Sequence, residues 1–229
     1  MFFAVISNLI VPPCCCSPTV CELLECCNIC ECSLISCLYN VLCLTASDSS
    51  VSEYIARRCN SACVKCLCFL VNAVNLTDGL DGLCTGVTFV SMIGYLLAGS
   101  LLGFVHVSLI AAATAGACAG FLVWNFYPAK VFMGDTGSMF FGGIVTALAF
   151  VMQRPELVLF FGIVYIWDAM TVVIQRTYFK ATHGKRIFRM TPIHHAFEMR
   201  GWREVKIDGF FALIAVIGVA MGIFYICVA

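Results

Sequence analysis

Charged side chains are scarce in this chain. Lysine, arginine, aspartate and glutamate make up 11% of its 229 residues, with 13 basic and 13 acidic side chains, so neither sign is in excess. Soluble globular proteins usually contain about a quarter charged residues, and too few polar side chains are present here to cover a water-facing surface. Without a basic excess we also expect no nucleic-acid partner. The composition, 62% hydrophobic, predicts a protein that resides in a lipid bilayer.

The cysteines are concentrated at one end of the chain. Fourteen of the 17 lie between Cys14 and Cys68. No regular helical or strand period runs through this part of the sequence. We therefore predict two regions: a cysteine-rich segment at residues 1–68 that is not a folded domain, and a transmembrane region at residues 69–229. A displaced start or a frame error in the coding sequence would account for the cysteine-rich segment.

Two other interpretations of the cysteines remain open, and both have weaker support. A secreted disulfide scaffold requires a signal peptide, but residues 1–20 have no basic start and no clear cleavage site. Cys63 and Cys66 have the CxxC spacing of a zinc knuckle, yet no second pair follows at the spacing of a zinc finger.

Five apolar segments follow the cysteine-rich region. A helix of about 20 residues spans a hydrocarbon core of about 30 Å, and a backbone in lipid must satisfy its own hydrogen bonds. The sequence therefore predicts an all-α polytopic membrane protein with about five transmembrane helices. The predicted spans are residues 84–102, 104–124, 137–152, 157–174 and 207–229.

Basic residues set the predicted orientation. Eight of the 13 lie within residues 176–206, which the positive-inside rule places in the cytoplasm. Counting spans backwards puts residues 125–136 and 72–82 on the same side. We therefore expect the three polar loops to form one cytoplasmic site.

The first of these loops carries regularly spaced polar residues. Asn75, Asp78 and Asp81 are three residues apart, so one helical turn would present them together, while Gly79 and Gly82 allow a tight turn or close approach to a ligand. A series of Asx turns or helix caps is the alternative.

The other loops carry an acid and two histidines. Asp135 lies between glycines at the mouth of a span and suits either a helix cap or a Mg²⁺ ligand beside substrate phosphates. His194 and His195 suit metal binding, donation to phosphate, or an interfacial turn. Asp168 lies within a predicted span, where an acid is costly; it faces the bundle interior or caps a broken helix.

Three motifs occur in order, separated by predicted spans: NAVNLTDGLDG at residues 72–82, NFYPAKVFMGDTGS at 125–138 and TPIHHAFEMRGW at 191–202. Over about residues 69–229 the chain resembles the phospho-N-acetylmuramoyl-pentapeptide transferases, within the polyprenyl-phosphate N-acetylhexosamine-1-phosphate transferase superfamily, glycosyltransferase family 4. The resemblance implies a multi-pass enzyme of the bacterial inner membrane, Mg²⁺-dependent and commonly a homodimer. It would transfer phospho-N-acetylmuramoyl-pentapeptide from UDP-N-acetylmuramoyl-pentapeptide to undecaprenyl phosphate and release UMP.

The resemblance also implies roles for individual residues, with Asp135 as the metal ligand and Phe132 stacked on uracil. Catalytic roles fall to Asp78, Asp135, His194 and His195, and substrate binding falls to Asn75, Gly79, Leu80, Asp81, Asn125, Phe132 and Gln175.

Two departures from the family pattern keep alternatives open. The aspartate pair and lysine of an earlier family loop have no match in residues 1–68, and Ala196 replaces the third residue of the usual histidine run. The alternatives are a truncated, inactive membrane fragment of this family, a related N-acetylhexosamine-1-phosphate transferase, and a non-enzymatic membrane module whose cysteines bind metal or partners.

Overall fold

The computed structural model of the chain describes the backbone of residues 61–183 and 185–228, and the side chains from Cys68 onward. Of the segment at residues 1–68, only the helical backbone of residues 61–68 is described, and the side chains of the Cys63 and Cys66 pair lie outside the described part. Throughout the described residues the structure is helical, with no strand, which confirms the predicted all-α fold. The helices, in chain order, are α1 Ser61–Thr77, α2 Leu83–Leu102, α3 Val105–Asn125, α4 Gly134–Val151, α5 Leu157–Phe161, α6 Ile163–Ala181, α7 Ile193–Glu198 and α8 Glu204–Val228.

Four of the described helices are long and apolar enough to cross a membrane: α2, α3, α4 and α8. They confirm four of the predicted spans and make the protein a polytopic membrane protein. The predicted span at residues 157–174 is not one continuous helix. This segment divides at Gly162 into α5 and α6, and α6 continues to Ala181 with charged residues in its second half. The Ser91 hydroxyl of α2 donates to the carbonyl oxygen of Phe161 at 2.7 Å, which satisfies a backbone acceptor at the division.

The packing of α1 brings two polar loops to one end of the bundle. α1 packs against α4 and α6, while α2 packs against α3 and α8. α1 ends at Thr77 and α4 begins at Gly134, so the loops that follow α1 and precede α4 are adjacent. Close approach of these helices depends on Gly142, where an added Cβ would lie 2.8 Å from the Cα of Val71.

Gly142→Ala should therefore destabilise the bundle. The new methyl group meets backbone, which cannot move aside without separating α1 from α4, and overpacking of this kind costs about 1–3 kcal/mol of the free energy of unfolding. Thermal unfolding in detergent measures the effect. Gly116→Ala in α3 is the control, since no heavy atom lies within 4 Å of its Cβ position. Equal stability of the two variants would contradict the packing described for Gly142.

Candidate active site

A hydrogen-bonded link joins the first two polar loops. The Asn75 side-chain amide, in the last turn of α1, donates to Oδ1 of Asp135 at 3.1 Å and to the Ser138 hydroxyl oxygen at 2.9 Å. Ser138 is fully buried one turn after Asp135 on α4. Ser138 is not among the residues predicted for the site, although its three-residue spacing from Asp135 on a helix places both on one side. The link holds Asp135 at the mouth of α4 with its carboxylate exposed.

Asp78 is close enough to Asp135 for the two charges to interact. Partial burial, and secondly the negative charge of Asp135, raise the pKa of Asp78 from 3.8 to about 6. Both effects disfavour the ionised form, and among the described residues no positive charge offsets them at Asp78. A cation placed between the two carboxylates would remove this repulsion.

The donor set fits Mg²⁺ bound together with a phosphate ligand. No cluster of three or more histidine, cysteine, aspartate or glutamate side chains suited to a metal forms among the described residues, so the protein alone builds no closed metal cage there. Mg²⁺ is commonly held by one or two carboxylates, with waters and substrate phosphates completing an octahedron of oxygens. Asp78 and Asp135 supply such a pair.

The raised pKa of Asp78 predicts a pH-dependent stability. The folded protein holds this proton more tightly than the unfolded chain does, so ionisation of Asp78 opposes folding as the pH rises from about 4 through about 6. Asp78→Asn cannot ionise and should unfold at a higher temperature than the wild type at about pH 7.5, with little difference near about pH 4. Thermal unfolding in EDTA across this range checks the prediction, and a difference that stays constant with pH would contradict it.

The third loop places its two histidines differently. His194 in α7 is fully buried, and its Nδ1 lies 2.7 Å from Oδ2 of Asp168, which is also fully buried. His195 keeps 26% of its side chain exposed, and its Nδ1 lies 3.0 Å from Oε2 of Glu198. The centroids of the two imidazole rings are 4.4 Å apart. His195 is thus the histidine with a solvent-accessible face.

Both histidines point their Nε2 atoms at Gly79 in the first loop. A Cβ on Gly79 would overlap Nε2 of His194 and lie 3.1 Å from Nε2 of His195. The third loop therefore contacts the first loop. The first loop is in turn connected to the second by the hydrogen bond between Asn75 and Asp135. All three polar loops meet at one end of the bundle, as the span count predicts.

Asp168 is a site residue to which the sequence assigned no role. It lies within α6, several residues after the helix begins at Ile163, so the interpretation as a helix cap is wrong. The side chain faces the interior and is bonded to His194. An acid within a membrane span usually faces the bundle interior, and this rule predicted the burial of Asp168. The rule does not predict that His194 is its hydrogen-bond partner.

Asp81 and Asn125 shape the second loop. The Asp81 carboxylate accepts a hydrogen bond from the backbone N–H of Ala129 at 2.9 Å. The buried Asn125 amide accepts from the Thr85 hydroxyl at 2.8 Å and donates to the carbonyl oxygen of Val131 at 3.0 Å. Both side chains hold the loop that carries Phe132.

The remaining predicted substrate-binding residues lie in three different surroundings. Phe132 is 75% exposed, so its ring face is free for a flat ligand. Leu80 is partly buried and packs against the core. Gln175 accepts hydrogen bonds from the backbone N–H groups of Ile187 and Phe188, both at 3.0 Å. Gln175 lines a cavity of about 300 Å³ with Arg176, Arg186 and Arg189, and no other predicted site residue lines this cavity.

Fold and site together define a polytopic helical membrane protein that gathers acidic and histidine side chains at one end. Residues 31–153, more than half of the chain, match the family described as "Glycosyl transferase family 4", and the chain belongs to this family. The family predicted from the three motifs is confirmed, and the match begins earlier than residue 69.

Named relatives of this chain come from several bacteria, and each is called phospho-N-acetylmuramoyl-pentapeptide-transferase. The Clostridioides difficile protein is 50% identical over 149 residues, which cover 65% of this chain and 46% of the relative. The Limosilactobacillus fermentum protein is 48% identical over 150 residues, 66% of this chain and 47% of the relative. The Acetivibrio thermocellus protein is 46% identical over 154 residues, which cover 67% of this chain and 46% of the relative. The chain spans about half the length of the curated relatives it matches.

Proposed function

We propose that the chain transfers phospho-N-acetylmuramoyl-pentapeptide from UDP-N-acetylmuramoyl-pentapeptide to undecaprenyl phosphate, giving a lipid-linked peptidoglycan precursor and UMP. The observation that carries the proposal is the pair of interacting carboxylates, Asp78 and Asp135, with Asn75 bonded to Asp135 and two histidines against Gly79, the neighbour of Asp78. The family and the names of the relatives support the choice of substrates. We place the enzyme in the bacterial inner membrane with these loops in the cytoplasm, and expect a homodimer.

In the proposed reaction, a phosphate oxygen of undecaprenyl phosphate bonds to the phosphorus attached to the sugar. The bond between that phosphorus and the bridging oxygen of UMP breaks, and UMP leaves. Asp135 and Asp78 would hold Mg²⁺, which when bound supplies charge neutralisation for the diphosphate. Asn75 keeps the Asp135 carboxylate oriented through its 3.1 Å hydrogen bond.

Different side chains near the carboxylates are assigned to the nucleotide and to the sugar phosphate of the substrate. The exposed Phe132 ring of the second loop offers a stacking face for uracil. Gly79, Leu80 and Asp81 of the first loop are assigned to the uridine, and Asp81 bonds the second loop at Ala129. His195, with its accessible face, is suited to donate to a substrate phosphate or sugar oxygen. Asn125 and Gln175 would support substrate binding indirectly, because they hydrogen-bond the backbone of the loops at Val131 and at Ile187 and Phe188.

The proposal is tested by UMP release from the purified full chain in lipid nanodiscs, with undecaprenyl phosphate and Mg²⁺. We expect release with UDP-N-acetylmuramoyl-pentapeptide and none with UDP-N-acetylglucosamine. Release only with the second donor would identify the related hexosamine phosphate transferase instead. No release with either donor would support the inactive fragment.

A further inference from the structure

The buried pair formed by Asp168 and His194 has no place in the proposed reaction. Both side chains are completely buried, and their contact joins α6 to α7 across 26 residues of chain. Within the described part of the protein, the remaining polar atoms of the pair, Oδ1 of Asp168 and Nε2 of His194, have no hydrogen-bond partner. Burying polar groups is costly unless they are bonded, so the 2.7 Å contact must hold the pair in place.

The hydrogen bond fixes the direction of the His194 ring. A carboxylate accepts hydrogen bonds, so Nδ1–H of His194 donates a hydrogen bond to Oδ2 of Asp168. Nε2 on the opposite side of the ring then points at Gly79, where no side chain fits beside it. Gly79 directly follows Asp78, and its other face is exposed.

Burial prevents His194 from reaching a substrate in this arrangement. Its Nε2 has almost no accessible surface and is directed at Gly79. His195 keeps accessible surface and contacts the same glycine. The two adjacent histidines are therefore suited to different tasks.

We infer that Asp168 and His194 are positioning residues that hold the Asp78–Gly79 turn, and that His194 acts on the site through this turn without touching substrate. The inference rests on the proposed function for its effect on turnover. Its effect on the order of the turn is independent of that function.

Hydrogen exchange of the full chain in nanodiscs tests the pair directly. Removing one partner of a buried hydrogen bond should raise amide exchange at residues 78–80 about tenfold in Asp168→Ala, since local opening becomes easier. Asp168→Glu, which keeps a carboxylate, should restore most of the protection. Asp168→Leu, which is nearly the same size as the wild-type residue and cannot accept a hydrogen bond, serves if the alanine variant does not fold.

Tyr165→Phe is the matched control. Tyr165 is one turn from Asp168 on α6, is fully buried and shares a 2.8 Å hydrogen bond with Thr88 of α2. The control removes a buried hydrogen bond from the same helix without contacting His194. It should leave exchange at residues 78–80 unchanged.

Turnover supplies the second measurement. Asp168→Ala should lower kcat about tenfold or more while KM for the nucleotide-sugar changes less than about threefold, because the turn carries Asp78 and the substrate does not contact His194. Unchanged exchange at residues 78–80, or an equal rise in Tyr165→Phe, would overturn the inference. A large rise in KM with unchanged exchange would also overturn it, since His194 would then bind substrate. If the wild type shows no turnover, the proposed function fails, while the exchange comparison still decides the role of the pair.

Discussion

Asp135→Asn should lower turnover roughly a thousandfold, which corresponds to about 4 kcal/mol of activation free energy. The substitution keeps the size of the side chain and an oxygen that can accept the Asn75 hydrogen bond, so the loops should remain in place. It removes one of the two negative charges of the proposed Mg²⁺ site. Titration with Mn²⁺, followed by electron paramagnetic resonance, measures metal affinity independently of turnover. It should show weaker Mn²⁺ binding by the variant than by the wild type.

Glu156→Gln is the control for this prediction. The change from acid to amide is the same, but Glu156 lies between the end of α4 and the start of α5, away from the end of α4 that carries Asp135. It pairs with Arg154 at 3.5 Å near the surface and should affect neither turnover nor Mn²⁺ binding. If Asp135→Asn retained wild-type metal affinity and turnover, Asp135 would not be the metal ligand.

Gly79→Ala should have the second largest effect. The added methyl group would overlap Nε2 of His194 and crowd His195, so the loop has to move away from α7. We expect a loss of about 1–3 kcal/mol in the free energy of unfolding from overpacking. Displacement of Asp78 by about 1 Å should lower turnover roughly a hundredfold.

Two further variants separate this clash from a general loss of helix or loop stability. Gly86→Ala in α2 adds the same methyl group where no heavy atom lies within 4 Å, and should be close to neutral. The double variant Gly79→Ala with His194→Ala removes the ring that the methyl group meets. Its loss of stability should be smaller than the sum of the two single losses, because the residues interact directly. Strict additivity would show that the two residues are not in contact.

The sequence predicted the bundle well because hydropathy is a local property. Runs of apolar residues located α2, α3, α4 and α8 to within a few residues. The division of the 157–174 segment at Gly162 was not predicted, because hydropathy does not mark a break within an apolar run; in the structure the Ser91 hydroxyl of α2 bonds the Phe161 carbonyl there. The end of α6 was also missed, since charged residues from Arg176 onward ended the hydropathy signal although the helix continues.

The sequence predicted that the loops carrying Asp78 and Asp135 lie together. It did not predict the buried contact between Asp168 and His194. Glycine-flanked Asp78 and Asp135 are visible as local patterns, and span counting correctly placed their loops together. The contact between Asp168 and His194 is a long-range contact between α6 and α7, which no local pattern encodes. Gly79 was interpreted as a residue that allows a turn or ligand approach. In the structure its small size accommodates the two imidazole rings.

The lipid product provides the most direct test of the proposed activity. Mass spectrometry of the lipids extracted after incubation of the full chain with UDP-N-acetylmuramoyl-pentapeptide, undecaprenyl phosphate and Mg²⁺ should detect undecaprenyl diphosphate carrying N-acetylmuramoyl-pentapeptide. The product should be absent when Asp135→Asn replaces the wild type. Its absence with the folded, metal-binding wild type would contradict the account.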